Sequence, residues 1–284
     1  MSFSSWANFF CYRFDRYFAT TLEHGMYQDF CHPIKDSNEL HGAGYVRDGK
    51  RYPTYCLYKF REIQLRLYRI AKKYETPTRR IFFIGHTGGS YILPHANFFS
   101  LVNEGEYLGA VVNQQKPYLD FFDEGRWRAE WNGRQFGLLI NFIPSRSTDL
   151  KFTEEIFSII VPGSVTWMLH TLIAREPQQR VYRAYEQFGG YSGVEQFLPY
   201  WNNSDYLSVS HDDIKATILV KGKKALLLVG NWNKDKIDAI FTFNNLSVVK
   251  VTDCDTRQEV AFAGGEFTYP VAGKNFRIFL LDLE

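Results

Sequence analysis

Acidic and imidazole side chains follow short apolar segments at three places in this chain of 284 residues. Asp29 lies near the end of the segment 26–30, His86 ends a second apolar segment, and Glu104 and Glu106 follow a third. Two carboxylates held close together can cleave a glycosidic bond, because one protonates the leaving oxygen while the other acts as nucleophile or base. These side chains are therefore the first candidates for catalysis, although an aspartate near a turn also commonly caps that turn.

The three apolar segments are predicted to be neighbouring strands of a parallel sheet. Each is too short for a helix, and the chain between the first two carries apolar residues at helical spacing over 55–74. Strands that alternate with helices indicate βαβ units, in which the carboxyl ends of the strands form the active site. We therefore expect Asp29, His86 and one glutamate to converge. Glu104 and Glu106 would point to opposite sides of an extended chain, so only one of them is expected to face the site.

Helices and strands continue this alternation through the first 204 residues. The predicted helices are 4–24 (ended by Gly25), 55–74, 118–132 (broken at Gly125), 153–175 (broken at 162–163) and 178–188, and the predicted strands are 26–30, 81–86, 98–102, 136–143 and a fifth at 164–167. Residues 31–54 are predicted to form a long loop. Long loops in compact domains are usually functional, so its His41 and Tyr45 are candidates for ligand contact.

The pattern changes near residue 205, where helical spacing ends. Short apolar segments separated by turn residues follow at 216–220, 225–229, 239–243, 247–251, 266–269 and 276–281. Such spacing is typical of antiparallel hairpins and predicts a β-sandwich of about 80 residues. The sequence therefore predicts two domains, a catalytic α/β domain over 1–204 and a C-terminal β-sandwich over 205–284.

The composition limits the classes of partner. The net charge is +2, with 33 basic and 31 acidic residues, which gives no reason to expect nucleic acid or an anionic membrane surface. No apolar stretch approaches the about 20 residues of a membrane span. Aromatic residues make up 17% of the chain. Tyrosine and tryptophan at this frequency suit a cleft for sugar rings, while a core rich in phenylalanine and tyrosine is the alternative reading.

The sequence gives no indication of a metal or a cofactor. The four cysteines have no zinc-binding spacing and indicate no disulfide framework, and no HExxH motif is present. Neither glycine-rich phosphate motif is found, and no GxSxG nucleophile motif occurs. The N-terminus shows no signal-peptide pattern, and the sequence does not indicate a compartment.

Several segments together resemble glycoside hydrolase family 123 and its uncharacterised relatives, over roughly residues 6–282. The segments that carry the resemblance are Tyr27-Gln28-Asp29, residues 38–45 (Asn-Glu-Leu-His-Gly-Ala-Gly-Tyr), Arg61-Glu62, His86, Glu104-Gly105-Glu106 and residues 197–201 (Phe-Leu-Pro-Tyr-Trp). The resemblance implies a (β/α)8 barrel followed by a β-sandwich. It also implies an exo-acting N-acetyl-β-galactosaminidase that retains configuration, with the substrate acetamido group as nucleophile and an adjacent Asp-Glu pair.

The sequence departs from this family in two respects. Phe30 follows Asp29 where the family has a glutamate, so a catalytic partner for Asp29 would have to come from another strand, Glu104 or Glu106. Only four or five strands precede the sandwich, whereas a closed barrel has eight and typically about 250 residues. We therefore expect only the C-terminal part of a TIM-type barrel. An N-terminal segment, another chain or self-association would complete it, or else the sheet stays open.

Two hypotheses follow from these patterns. The first is a glycoside hydrolase, exo-acting on an amino sugar or other hexoside. Its catalytic candidates are Asp29, Glu104 and Glu106, and its candidates for substrate binding are Tyr27, His41, Tyr45, His86 and Trp201. The second is a non-catalytic carbohydrate-binding or structural protein, or an inactive fragment of a glycosidase. Both hypotheses predict a carbohydrate partner and no metal or cofactor.

Overall fold

The structure, a computed structural model, describes residues 4–87, 93–106, 108, 118–132, 138–143, 150–167 and 175–284. The chain divides into two compact units. The first comprises residues 1–107 and 134–141, and the second comprises residues 108–133 and 142–284. These bounds differ from the predicted boundary near residue 204, and the domains 1–204 and 205–284 stay a prediction.

The first unit contains two long helices and a parallel sheet. Its elements are α1 (Ser4–Thr20), β1 (Gly25–Gln28), β2 (Lys35–Asp36), β3 (Tyr45–Arg47), β4 (Lys50–Tyr52), β5 (Thr54–Tyr55), α2 (Leu57–Lys73), β6 (Phe82–His86), α3 (Leu93–Ala96) and β7 (Leu101–Glu104), with a last strand at Leu139–Phe142 that ends in the second unit.

The second unit contains short helices followed by antiparallel strands. After a 3-10 turn (Tyr118–Asp120), its elements are α4 (Glu124–Glu130), α5 (Leu150–Ile160), β9 (Thr166–Trp167), α6 (Arg175–Phe188), β10 (Gln196–Leu198), β11 (Leu207–Val209), β12 (Ile214–Lys221), β13 (Lys224–Asn231), β14 (Ile237–Phe243), β15 (Val248–Asp253), β16 (Glu266–Val271) and β17 (Phe276–Leu283). The strand Leu139–Phe142, which was described with the first unit, is called β8.

Helices α1 and α2 pack against each other through apolar side chains at helical spacing. Phe14 and Phe18 of α1 are buried and meet edge to face at 4.8 Å. Both helices were predicted, but the prediction that Gly25 ends the first helix is wrong. The helix ends at Thr20, where the hydroxyls of Thr20 and Thr21 donate to the carbonyls of Arg16 and Tyr17 and satisfy the last turn. Gly25 is the first residue of β1 instead.

Strands β1, β6 and β7 pair in parallel, and β8 lies beside β7. The predicted strands at 26–30 and 98–102 have other bounds: β1 ends at Gln28 and is half-buried rather than buried, and β7 begins at Leu101 after a turn. β7 therefore includes Glu104. The first residues of the predicted strand 136–143 lie outside the described part of the chain.

The predicted loop 31–54 contains two small antiparallel pairs. β2 pairs with β5, and β3 pairs with β4 through the register Tyr45↔Tyr52. The rings of Tyr45 and Tyr52 stack with their centroids 5.4 Å apart. Residues 45–52 thus form a short hairpin rather than an irregular loop.

An aromatic cluster forms one core of the second unit. Trp127 and Trp131 of α4 are buried with their ring centroids 4.7 Å apart, and both contact Phe142. The predicted helix 118–132 is wrong in its extent and in its break. The helix starts only after Asp123, whose carboxylate accepts the Arg126 N–H at 2.8 Å as an N-cap.

The predicted helix 153–175 also differs from the structure. α5 ends at Ile160, shortly before Pro162, which cannot continue the hydrogen-bond pattern of a helix. β9 at Thr166–Trp167 confirms the strand that was expected near residues 164–167. Residues 168–174 lie outside the described part, and α6 begins at Arg175, earlier than the predicted residue 178.

The C-terminal strands form two antiparallel sheets that face each other. One has the order β10-β12-β13-β17-β15 and the other has the order β11-β14-β16. Their facing side chains form a closed core in which Phe241 and Phe267 stack at 4.8 Å and Phe279 packs on Phe267. All six predicted strands are confirmed, whereas β10 and β11, three residues each, were not predicted. A parallel sheet and antiparallel sheets are thus both present, as predicted.

No helix within the described ranges has the length and apolar character that a bilayer crossing requires.

The close approach of α5 to β13 depends on Gly230. A Cβ on Gly230 would overlap the backbone oxygen of Ser158 and lie 2.9 Å from the ring of Pro162. We expect Gly230→Ala to lower the free energy of unfolding by about 1–3 kcal/mol, because backbone would have to shift to admit the methyl group. Urea unfolding of parent and variant measures the difference.

Gly125→Ala is the matched control. Gly125 lies within helix α4, where a Cβ would meet only the Asp123 side chain at 3.4 Å. Alanine favours a helix over glycine by roughly 1 kcal/mol, so this variant should be as stable as the parent or more stable. Equal stability of parent and Gly230→Ala would show that α5 and β13 are not held this closely.

Candidate functional site

Asp29 lies in the turn that directly follows β1. The backbone of Phe30 adopts a left-handed conformation (φ 47°), and its N–H donates to Asp29 Oδ1 at 3.0 Å. The next N–H, from Cys31, donates to the carbonyl oxygen of His86 at 2.9 Å. The turn after β1 is thereby tied to the end of β6, and this brings Asp29 beside His86.

Tyr27, Asp29 and His86 contact one another. His86 Nδ1 lies 2.9 Å from Asp29 Oδ1, and the Tyr27 hydroxyl lies 3.1 Å from the same ring nitrogen. The Tyr27 hydroxyl also donates to Asp29 Oδ1 at 3.3 Å. The His86 side chain is only 12% exposed while that of Asp29 is 53% exposed, so the imidazole is held within the fold and the carboxylate reaches solvent.

Glu106 approaches the other side of the imidazole. Its Oε2 lies 3.4 Å from His86 Nε2, and its side chain is 54% exposed. We call Tyr27, Asp29, His86 and Glu106 the strand-end cluster. Its members follow or end β1, β6 and β7, so the carboxyl edge of the parallel sheet assembles it.

Glu104 is placed differently from Glu106. It is the last residue of β7, is 6% exposed, and lies close enough to Cys31 to raise the pKa of that thiol. The structure therefore brings Glu106 to the strand-end cluster and buries Glu104.

Two asparagines that the sequence analysis did not select support the cluster. Asn103 is 1% exposed, and its side chain hydrogen-bonds the Tyr27 hydroxyl. Asn141, on β8, donates from Nδ2 to Asn103 Oδ1 at 2.8 Å. Each lies within an otherwise apolar strand, near its carboxyl end. A polar residue at such a position is the signal that could have identified them, because buried amides need partners.

The protonation of the cluster follows from these contacts. Burial, followed by the nearby charge of Asp29, raises the pKa of Tyr27 to about 12. Burial acts to raise the pKa of Asp29 as well. Hydrogen bonds from the His86 ring, the next backbone N–H and the Tyr27 hydroxyl outweigh that effect and hold the pKa of Asp29 below its ordinary value of 3.8. Tyr27 is thus a hydroxyl donor and Asp29 an ionised carboxylate at neutral pH.

The remaining candidates have other surroundings. His41 contacts Asp36 through Nδ1 and Asn38 through Nε2, within the segment between β2 and β3. Tyr45 is half exposed and stacks on Tyr52. Trp201 belongs to the second unit, where it lines a cleft together with Tyr200.

The arrangement offers acid–base chemistry rather than metal chemistry in the part of the chain that is described. No group of three or more metal-binding side chains occurs there. All four cysteines are free, and burial raises the pKa of Cys31 to about 12, so its thiol stays protonated. The two ring nitrogens of His86 face one carboxylate each, so this one side chain links Asp29 and Glu106.

Comparison with known proteins gives a fold but no sequence family. No family model matches the chain, and no curated protein matches it. Among solved structures, it is similar to a noncanonic maltogenic alpha-amylase from Thermotoga neapolitana, with 12% identity, a TM-score of 0.55, and coverage of 100% of this chain and 67% of that one.

Two further structures are similar at the same level. An alpha-amylase from Anoxybacillus has 8% identity and a TM-score of 0.51 over 98% of this chain and 63% of that one. A family 30 subfamily 8 xylanase from Clostridium acetobutylicum has 11% identity and a TM-score of 0.50 over 98% and 72%. This chain thus spans about two thirds of the length of these proteins, and it is similar to them in fold.

The contacts of Asp29 predict how stability depends on pH. Because the pKa of Asp29 is lower in the folded chain than its ordinary value of 3.8, ionised Asp29 stabilises the fold above that pH. This contribution is lost as the pH falls through the folded-state pKa. We expect Asp29→Asn to be less stable than the parent at pH 7, and the difference to shrink as the pH falls below 3.8 and Asp29 becomes protonated.

Urea unfolding midpoints at a series of pH values measure this effect. A difference between parent and Asp29→Asn that stays constant down to pH 2 would show that the lost interaction does not depend on the charge of Asp29.

Proposed function

We propose that this chain is a glycoside hydrolase whose reacting carboxylates are Asp29 and Glu106. The observation that carries the proposal is the convergence of the strand-end cluster at the carboxyl edge of three parallel strands. In barrel enzymes this edge holds the active site. The similarity in fold to glycoside hydrolases supports the proposal, because two carboxylates at this edge suit glycosidic cleavage.

The two carboxylates have different surroundings and therefore different proposed roles. Asp29 accepts hydrogen bonds from Phe30 and Tyr27 and has a lowered pKa, which suits a group that must be ionised, the base or nucleophile. Glu106 is then the candidate for the acid that protonates the leaving oxygen. His86 is a positioning residue that fixes Asp29 relative to Glu106.

The position of His86 also bears on stereochemistry. The imidazole lies between the two carboxylates, at 2.9 Å from Asp29 and 3.4 Å from Glu106. We infer a separation above the about 5–5.5 Å of retaining pairs and within the about 6.5–9.5 Å of inverting pairs. Because the imidazole fills the direct line between them, an inverting enzyme would hold the attacking water and the glycosidic bond on the solvent side of the two carboxylates, which are each about half exposed.

The substrate remains a proposal from resemblance. Family 123 implies an exo-acting enzyme on an N-acetylated amino sugar, and another hexoside is equally compatible with the cluster. Tyr27 is 47% exposed and Phe30 is 71% exposed, so both rings can stack against a sugar beside Asp29. His41, Tyr45 and Trp201 stay predicted contacts of the substrate.

The barrel is part of the same proposal. The parallel strands are proposed to be the C-terminal part of a (β/α)8 barrel that precedes the β-sandwich. The chain covers 67% of the amylase with the TM-score of 0.55, which is compatible with a partial barrel.

A second candidate function is carbohydrate binding without turnover. It is favoured by the residue after Asp29, because Phe30 has no carboxylate to steady a substrate acetamido group. Under this alternative the strand-end cluster would bind hydroxyl groups and leave the glycosidic bond intact.

Hydrolysis of a panel of aryl glycosides, including the N-acetyl-β-galactosaminide, tests the proposal. We expect the parent chain to release the aryl alcohol from at least one substrate. Asp29→Asn and Glu106→Gln should each lower kcat by at least about 100-fold, because each removes a group that transfers a proton or attacks in the transition state.

Glu23→Gln is the matched control, since Glu23 is exposed and precedes β1 at the opposite end of the strand from Asp29. It should hydrolyse at the parent rate. Full activity of both cluster variants would overturn the assignment of the carboxylates. A folded parent that hydrolyses no substrate would instead favour the binding function.

The anomeric configuration of the first product tests the inferred spacing. We expect proton NMR at early reaction times to show the inverted anomer, because a water activated by Asp29 attacks from the face opposite the leaving group. A product that first forms with retained configuration would contradict the spacing and support a covalent or acetamido-assisted mechanism.

A further inference from the structure

The second unit contains a cleft with a volume of about 660 Å³. All of its lining residues lie between Glu124 and Ala216 and belong to this unit alone. The volume falls within the about 300–1,000 Å³ of small-molecule sites in proteins. The proposed hydrolytic function uses none of these residues except Trp201, so it does not account for the presence of the cleft.

Neighbouring side chains fix the orientation of Trp201 in the cleft wall. The Tyr200 ring stands at 89° to the indole with a centroid distance of 4.8 Å, and Phe197 stands at 76° and 6.2 Å. The guanidinium of Arg128 lies 5.5 Å from the centre of the indole ring. An aromatic wall held in this way loses little conformational freedom when a ligand stacks on it.

The charges in the wall largely cancel. Lys215 Nζ lies 2.7 Å from the carboxylate of Glu124 and 5.7 Å from the centre of the Tyr200 ring. Arg128 beside the indole and Asp212 in the lining also carry opposite charges, so positive charge is not in excess for a polyanion. The cleft therefore favours a neutral ligand.

The lining of the cleft also includes polar groups that can bind hydroxyls. Asn202, Ser204 and Asp212 are exposed lining residues. Within the described part of the chain, the side chains of Asn202 and Asp212 make no hydrogen bond or ion pair, so an amide and a carboxylate are available to a ligand. The apolar lining residues Leu207 and Ile214 are each only 4% exposed, so the accessible surface of the cleft is mainly polar.

We propose that this cleft binds a neutral oligosaccharide, with Trp201 as the stacking surface and Asn202 and Asp212 as hydrogen-bond partners of its hydroxyls. A sugar ring has an apolar face and polar edges, which match a fixed indole and an amide and a carboxylate in the same cleft. A lipid or an apolar peptide would find little accessible apolar surface besides the aromatic wall, and a nucleic acid would find no excess of positive charge.

This site does not rest on hydrolysis. Its residues belong to the second unit, whereas Asp29, His86 and Glu106 belong to the first. The chain can therefore bind a sugar in the cleft whether or not the strand-end cluster cleaves one, and the two proposals can fail separately.

Isothermal titration calorimetry with maltotetraose, xylotetraose and triacetylchitotriose tests the proposal on the full chain. We expect at least one of them to bind the parent. Trp201→Ala should weaken that binding by at least about tenfold, which corresponds to about 1.4 kcal/mol. Trp6→Ala is the matched control, since Trp6 is 40% exposed on α1 and stacks on Phe10 in the first unit.

Asn202→Ala and Asp212→Ala provide variants at exposed positions in case Trp201→Ala does not fold. Each should weaken the binding measurably and leave the thermal unfolding temperature unchanged. The proposal is overturned if none of the three sugars binds the parent, or if a sugar binds and these folded cleft variants bind it as tightly as the parent does. Binding that survives in Trp6→Ala and is lost in the cleft variants supports it.

Discussion

The parallel pairing of β1, β6 and β7 is the constraint on which the candidate site depends. Its register sets Gln28 beside Gly85 and His86 beside Asn103, so the strand ends come level. The position of Gly85 admits no side chain, since a Cβ there would lie 2.8 Å from Cys31 Sγ and from the Phe99 ring. The turn after β1 can therefore close over β6. Two carboxylates on distant parts of the sequence meet the same imidazole as a result.

Local patterns in the sequence were sufficient to predict most of the helices and strands. The apolar spacing of α2 and the alternation in β14 each report which face is buried, and both elements were predicted with small errors at their ends. The errors arose where a side chain outside the pattern decides the boundary. Asp123 caps α4 later than the apolar pattern suggests, and two threonines close α1 before Gly25. Three-residue strands such as β10 are too short to show the alternation of apolar and polar residues that identifies a strand.

The candidate site also combines residues that nearby sequence identifies with contacts that arise only when distant strands pair. Asp29 and His86 could be selected because each ends an apolar segment, and the parallel topology explains their contact. The sequence could not separate Glu104 from Glu106, since the choice depends on where β7 ends, and β7 runs two residues further than the pattern predicts. Asn103 and Asn141 meet only because distant strands pair, so no local pattern predicts their hydrogen bond.

Each compact unit is built from two separate stretches of the chain, because the polypeptide passes from the first unit to the second, returns near residue 134 and leaves again after residue 141. A single cut cannot release either unit whole. A cut after residue 141, for example, would part Phe142 from Trp127 and Trp131, whose rings it meets at 5.5 and 5.7 Å. Neither compact unit therefore corresponds to one continuous stretch of coding sequence, so a single insertion or fusion cannot transfer either unit whole.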